Sequence, residues 1–251
     1  FRKWHRNHRA YHRQVTMTDT EALHQYIEQH SSSEGDYLYK LWRAENVHTI
    51  HGRMSSGHVE GRLLKMLVEM IRPRRILEIG TFCGYSAICM AEGLDELVKT
   101  GSSETLSGHG ADASACLTDS TMQPMVYTFE INDELEDFTR SWIEGSPVAR
   151  YIRFIIGDAK VEAPRLGLTF DMAFLDGNKR NYIADYEMTL GLLNHGGYVL
   201  ADNTLWDGHV VDRDYDNDAQ TVGIRQFNDY VARDERVEQV ILPLRDGLTL
   251  I

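Results

Sequence analysis

The sequence predicts an α/β fold: a doubly wound sheet, mostly parallel, that ends in a C-terminal antiparallel hairpin and is preceded by N-terminal helices. Three observations predict it. From residue 75 onward, short apolar runs (RILEIG, MVYTFE, YIRFIIGD, FDMAFLD and GGYVLADN) alternate with segments of helical spacing, the pattern of a parallel sheet covered by helices. Acids or amides close most of those runs, and the carboxyl edge of such a sheet is where ligands bind. Finally, VEQVILPL and LTLI flank a short turn at 245–247, which suits an antiparallel pair.

Ahead of the sheet, Thr18 or Asp19 is placed to cap a helix over 18–30, with Ala22, Leu23, Tyr26 and Ile27 on one apolar face. The Ser-rich stretch 31–35 ends it. Tyr37, Leu38, Leu41 and Trp42 continue helical spacing, and a third helix is predicted over 58–71, before Pro73, with Leu63, Leu64, Leu67, Val68 and Ile71 turned inward. Within the sheet region helices are predicted over 85–94, 134–143, near Ala159, over 181–193 and over 221–233. Residues 95–124 are rich in Gly, Ser, Thr and Asp with few apolar anchors, so they read as a surface loop insertion. Residues 17–251 therefore form one domain, with helices over 17–72 and the ligand-binding sheet over 73–251.

Composition narrows the class. Of 251 residues, 42% are hydrophobic, enough for a full core. The absence of a long apolar run or of an export signal pattern leads us to expect a cytoplasmic protein without membrane spans. Cys83, Cys89 and Cys116 make neither an even set nor a CxxC pair, which fits reduced packing residues. The net charge of -12 is unevenly spread: residues 1–15 hold Arg2, Lys3, Arg6, Arg9 and Arg13 without an acid, leaving 21 basic against 38 acidic groups in the remainder. A basic flexible arm over 1–16 thus precedes an acidic body, and that body repels nucleic acid and anionic lipid as general partners.

The chemistry concentrates at two places. Asp176 ends one apolar run, Asp202 and Asn203 end the next, and Lys179 follows Asp176 by three residues. On adjacent parallel strands these hard oxygen donors would meet at one edge, the outline of a site for a divalent cation, and a lysine beside it can serve as a base. Gly80 and Gly84 occupy a strand-to-helix turn where a ligand can approach the backbone. Their GxxxG spacing departs from the GxGxxG of dinucleotide enzymes, which weakens a reading as an NAD-dependent oxidoreductase. Glu130 ends the second strand, where an acid can accept from the ribose hydroxyls of an adenosine ligand. Asp158 stands at an equivalent place and has the alternative of capping the helix after it. Glu78, inside an apolar strand, needs a cationic partner if it is buried.

Taken together, LEIGTFCGYSA, FDMAFLDGNK, ADNTLWDG and RVEQVILPLRDGLTL resemble the cation-dependent class I S-adenosylmethionine O-methyltransferases, the family of catechol and caffeoyl-CoA O-methyltransferases, on its bacterial branch. The resemblance covers roughly residues 54–251. It implies a Rossmann-like fold, S-adenosylmethionine as methyl donor and a divalent ion, usually Mg²⁺. By position, Asp176, Asp202 and Asn203 look like the metal ligands and Lys179 like the general base. Met54, Ser56, Glu78, Gly80, Thr81, Ser86, Glu130, Asp158, Ala159 and Asp176 match the cofactor site. Trp206 and Asp207 fall where an acceptor ring would lie, with ordinary packing as the alternative for Trp206.

The resemblance further implies a homodimer built on the N-terminal helices. Departures from the family pattern are Pro243 in place of a substrate-contacting glutamate, Asn178 in place of an acid, and His195 in place of a proline, read as a loop variation. The expected reaction is methyl transfer to a hydroxyl of a small catechol-like or hydroxylated aromatic acceptor. A hydroxylated base in tRNA is the alternative acceptor, favoured by the basic arm and disfavoured by the acidic body.

Overall fold

A computed structural model describes residues 17–49, 55–101 and 123–251. Three N-terminal helices, α1 (Met17–Gln29), α2 (Gly35–His48) and α3 (Gly57–Ile71), lead into β1 (Arg75–Ile79) and α4 (Tyr85–Lys99). The alternation continues with β2 (Met125–Glu130), α5 (Glu136–Gly145), β3 (Ile152–Ile156), α6 (Ala159–Arg165), β4 (Phe170–Leu175), α7 (Tyr182–Leu192) and β5 (Leu193–Ala201). Helix α8 (Ala219–Val231) and the hairpin strands β6 (Val240–Leu242) and β7 (Leu248–Leu250) complete the chain.

The seven strands form one sheet in the order β3-β2-β1-β4-β5-β7-β6. Strands β1 to β5 pair in parallel, whereas β7 pairs antiparallel with both β5 and β6. The chain winds outward from β1 to β3 and then returns to lay β4 against the other side of β1. That reversal opens a crevice at the carboxyl ends of β1 and β4, the place where open α/β sheets take their ligands.

Alternation along the strands sorts the core into two layers. Ile76, Val126, Met172, Phe174 and Leu200 face α2, α3 and α4, where Leu38, Leu41, Leu64, Val68, Ile88 and Leu94 are buried. Leu77, Tyr127, Phe129, Ala173, Leu175 and Val199 face the other way, against Tyr182, Tyr186, Ile224 and Phe227 of α7 and α8. The sheet is therefore clad on both faces, as its nearly continuous apolar strands require.

Three sequence expectations change. Helix α1 is described from Met17, and the cap expected at Thr18 or Asp19 rests on side chains outside the described ones. Its face of Leu23, Tyr26 and Ile27 stays exposed among the described residues, at 55%, 59% and 39%. Helix α4 continues to Lys99, held by Asp95, which pairs with Lys99 at 2.6 Å and with Arg150 at 2.6 Å; residues 95–99 therefore belong to the helix and not to the insertion. His195 lies inside strand β5, not in a loop, because β5 starts at Leu193 directly after α7. The basic arm, Cys116, Met54 and most of the insertion lie outside the described residues. Cys83 and Cys89 are buried free thiols, and no described helix is long and apolar enough to cross a membrane.

Candidate active site

The crevice between β1 and β4 is lined by Ser55, Ser56, Gly80, Thr81, Phe82, Cys83, Tyr85, Ser86 and Asp176. Of the residues expected to hold the donor, the structure thus gathers Ser56, Gly80, Thr81, Ser86 and Asp176. Gly80 has φ +97° and Gly84 φ +86°, left-handed values that glycine adopts without a Cβ clash. A Cβ at Gly84 would also stand 2.9 Å from the Ile143 side chain, so the turn packs directly against α5.

Acids fix this turn from beneath. Glu78 on β1 is fully buried, and Ser86 in the first turn of α4 donates to its Oε1 at 2.5 Å. Among the described residues its Oε2 has no hydrogen-bond partner. Burial pushes the Glu78 carboxyl up to about 8, against the pull of the Ser86 and Thr128 hydroxyls. An ammonium group would satisfy that oxygen. Glu130 Oε2 accepts from Phe82 N at 2.9 Å, and Oε1 accepts from Asn132 N at 2.9 Å. The carboxylate thereby joins the end of β2 to the glycine turn.

Asp158 has the capping geometry that was its alternative reading: Oδ1 accepts from Lys160 N at 2.9 Å at the start of α6. Buried Ala159 follows it. Glu130, Asp158 and Ala159 sit along the same sheet edge but outside the crevice lining.

At the ends of β4 and β5 stand Asp176, Asp202 and Asn203. Asp202 is 2% exposed and Oδ1 accepts from Asn203 N at 2.6 Å; Asn203 takes φ +57°, a conformation that asparagine tolerates better than most residues. Burial and then the charge of Asp176 push the Asp202 carboxyl up to about 7, while Lys179 and Arg245 draw it down. Lys179 is 5% exposed, and its Nζ lies 2.8 Å from Asp176 Oδ1 and 2.7 Å from the Tyr182 hydroxyl. That hydroxyl lies 3.0 Å from the Leu175 carbonyl oxygen and 2.8 Å from the Asp202 carbonyl oxygen. The Trp206 ring centre stands 5.8 Å from Lys179 Nζ, and both Trp206 and Asp207 have positive φ.

No group of three or more His, Cys, Asp or Glu side chains gathers as a metal site among the described residues. The expected trio has a different make-up, two carboxylates and an amide. Its hard oxygens suit Mg²⁺, and the burial of Asp202 beside a second acid is an arrangement that a divalent cation would compensate. The residues present therefore fit such an ion.

Sequence reasoning missed four residues here. Tyr182 looks like ordinary helix core, although its spacing of three from Lys179 is a usable signal. Glu60 and Glu45 sit among apolar neighbours on α3 and α2, are 1% and 0% exposed, and face this region only once the helices fold over the sheet. Arg245 lies in the final hairpin turn, where nothing in its local sequence points to a partner some 190 residues earlier.

The sheet order defines the class: it is that of the Rossmann-like class I methyltransferase fold. The sequence profile of the O-methyltransferase family matches residues 28–103 and 115–251. Tricin synthase 2 of Oryza sativa subsp. japonica is 29% identical over 249 residues, covering 94% of this chain and 76% of the relative. Caffeoyl-CoA O-methyltransferase 1 of Zea mays is 32% identical over 211 residues, covering 78% and 70%. Among solved structures, the O-methyltransferase from Bacillus cereus in complex with SAH superposes with a TM-score of 0.73 at 26% identity, covering 91% of this chain and 96% of that one.

The chain belongs to the O-methyltransferase family and resembles its caffeoyl-CoA members. It is an S-adenosylmethionine-dependent O-methyltransferase.

Proposed function

We propose that this enzyme methylates a hydroxyl of a small catechol-like or hydroxylated aromatic acceptor, with a divalent cation held by Asp176, Asp202 and Asn203 and with Lys179 as the base. The observation that carries the reading is Lys179: a lysine 5% exposed, with Nζ 2.8 Å from Asp176 Oδ1, stands at the meeting point of donor crevice and oxygen ligands. A bound cation would supply Lewis acidity that lowers the pKa of an acceptor hydroxyl.

The remaining work falls to the chain. The crevice of Ser56, Gly80, Thr81 and Ser86 holds the donor's methionine end, the Oε2 of Glu78 takes its ammonium, and Glu130 faces its ribose. Trp206 and Asp207 border the acceptor. Lys179 Nζ accepts the hydroxyl proton, the oxygen takes the methyl group as the carbon–sulfur bond breaks, and S-adenosylhomocysteine leaves. Proximity and alignment supply most of the acceleration in such a transfer, which agrees with a site built of fixed main chain and buried acids.

A methyl-transfer screen over vicinal diols and single phenols, with Mg²⁺ or with EDTA, tests the reading. Turnover of a diol that EDTA abolishes is the expected result. Undiminished turnover in EDTA would remove the cation from it. The exposed stripe of Leu23, Tyr26 and Ile27 on α1 supports a homodimer through the N-terminal helices, for which light scattering should give twice the chain mass.

A further inference from the structure

Arg245 occupies the turn between β6 and β7 with φ +47°, a left-handed backbone that costs free energy for any residue with a Cβ. From this position its Nη1 donates to the Ser55 carbonyl oxygen at 2.9 Å and to the Ser56 carbonyl oxygen, and pairs with Glu60 Oε2 at 3.1 Å. Ser55 and Ser56 line the donor crevice. Glu60 projects from α3 and is 1% exposed.

The same turn is bolted to the other half of the site. The Asp246 carbonyl accepts from Leu205 N at 2.7 Å and Trp206 N at 3.1 Å, and the Gly247 carbonyl accepts from Thr204 N at 2.9 Å. Residues 204–206 follow directly on Asp202 and Asn203. A three-residue turn therefore joins the wall of the donor crevice to the segment carrying the oxygen ligands and Trp206.

Neutralising Glu60 would require only a cation beside its carboxylate. The guanidinium instead spends hydrogen bonds on two main-chain carbonyls, which carry no net charge and which shape the crevice wall. We propose that Arg245 is a positioning residue for the methyl donor, clamping the Ser55 and Ser56 main chain to the hairpin turn so that the crevice wall is in place before the donor arrives. Glu60 anchors the guanidinium from the α3 side. A preorganised wall raises affinity by removing ordering costs from the binding step.

The inference rests on the donor lying against Ser55 and Ser56, and S-adenosylhomocysteine is the probe. Calorimetric affinity and ligand-free thermal midpoints are compared for the wild type, Arg245→Met, Glu60→Gln and the double variant. Arg245→Met should bind the probe at least about tenfold more weakly and melt earlier, because Glu60 is left buried and unpaired. The double variant replaces that carboxyl with an amide, so it should recover the thermal midpoint while its affinity stays low. This variant also decides the matter if Arg245→Met does not fold.

Recovery of affinity together with stability in the double variant would make Arg245 a counter-charge alone and overturn the proposal, as would wild-type affinity in Arg245→Met. A wild-type protein that binds no S-adenosylhomocysteine would fail at the donor reading itself, before any variant is compared.

Discussion

A Cβ built on Gly80 would stand 2.4 Å from the carbonyl oxygen of Asp176. The carboxyl ends of β1 and β4 thus meet main chain to main chain, reinforced by the bond from Asp176 N to the Ile79 carbonyl at 2.8 Å. This contact fixes the distance between the glycine turn and Asp176, the first of the proposed oxygen ligands.

Gly80→Ala should consequently damage both halves at once. The new methyl meets backbone atoms that cannot rotate away, and the residue keeps φ +97°. We expect a loss on the order of 2 kcal/mol or more in stability together with loss of S-adenosylhomocysteine binding, measured by denaturant unfolding and calorimetry. Unchanged binding would show that the contact is not required for the crevice.

Lys179→Met removes the proposed base while keeping most of the buried stem. Methyl transfer should fall by roughly 10²-fold or more, and affinity for S-adenosylhomocysteine should stay within about threefold of the wild type, since Nζ faces Asp176 and Tyr182 and does not line the crevice. A parallel collapse of donor affinity would place Lys179 in donor binding instead.

Asp202→Asn and Asn203→Ala address the cation. Each should weaken Mn²⁺ binding by roughly tenfold or more through the loss of a charge or of an oxygen donor. Titration calorimetry on the ligand-free protein reads this directly. Variants that bind Mn²⁺ like the wild type would remove the trio from the ion site.

Glu45 gives a pH dependence that is independent of the ion. It is 0% exposed, and among the described residues neither its oxygens nor the Ser55 hydroxyl has a hydrogen-bond partner of good geometry. Burial pushes its carboxyl from 4.5 up to about 7, with smaller opposing effects of Ser55 and Arg245. A raised carboxyl binds its proton more tightly in the folded state, so its contribution is fully present below pH 4.5 and is lost as pH rises through about 7. Glu45→Gln should gain relative stability across that interval by at most about 3 kcal/mol. Denaturant midpoints at pH 5 and pH 8 check it; an equal difference at both values would refute the assignment.

Much of this could be read in the sequence because it is local. Apolar alternation gave β1 to β5, since period-2 burial is a property of a few consecutive residues. The cluster of Asp176, Lys179, Asp202 and Asn203 was legible because each follows a strand directly, and parallel strands bring such ends to one edge. Tertiary packing decided the rest. Asp95 extends α4 through Lys99 and Arg150, the latter 55 residues away, and no local rule reports that pair. The α1 stripe, apolar by spacing, finds no cover among the described residues.

By itself, then, the sequence determined which strands exist, which acids end them, and hence the two halves of the candidate site. Only the tertiary structure decided how those halves are joined: Gly80 against the Asp176 carbonyl, Tyr182 between Lys179 and two strand ends, and Arg245 reaching Glu60, Ser55 and Ser56. The physical reason is that strand periodicity acts over a few residues. A buried charge, in contrast, must find its partner wherever in the chain the fold happens to bring one.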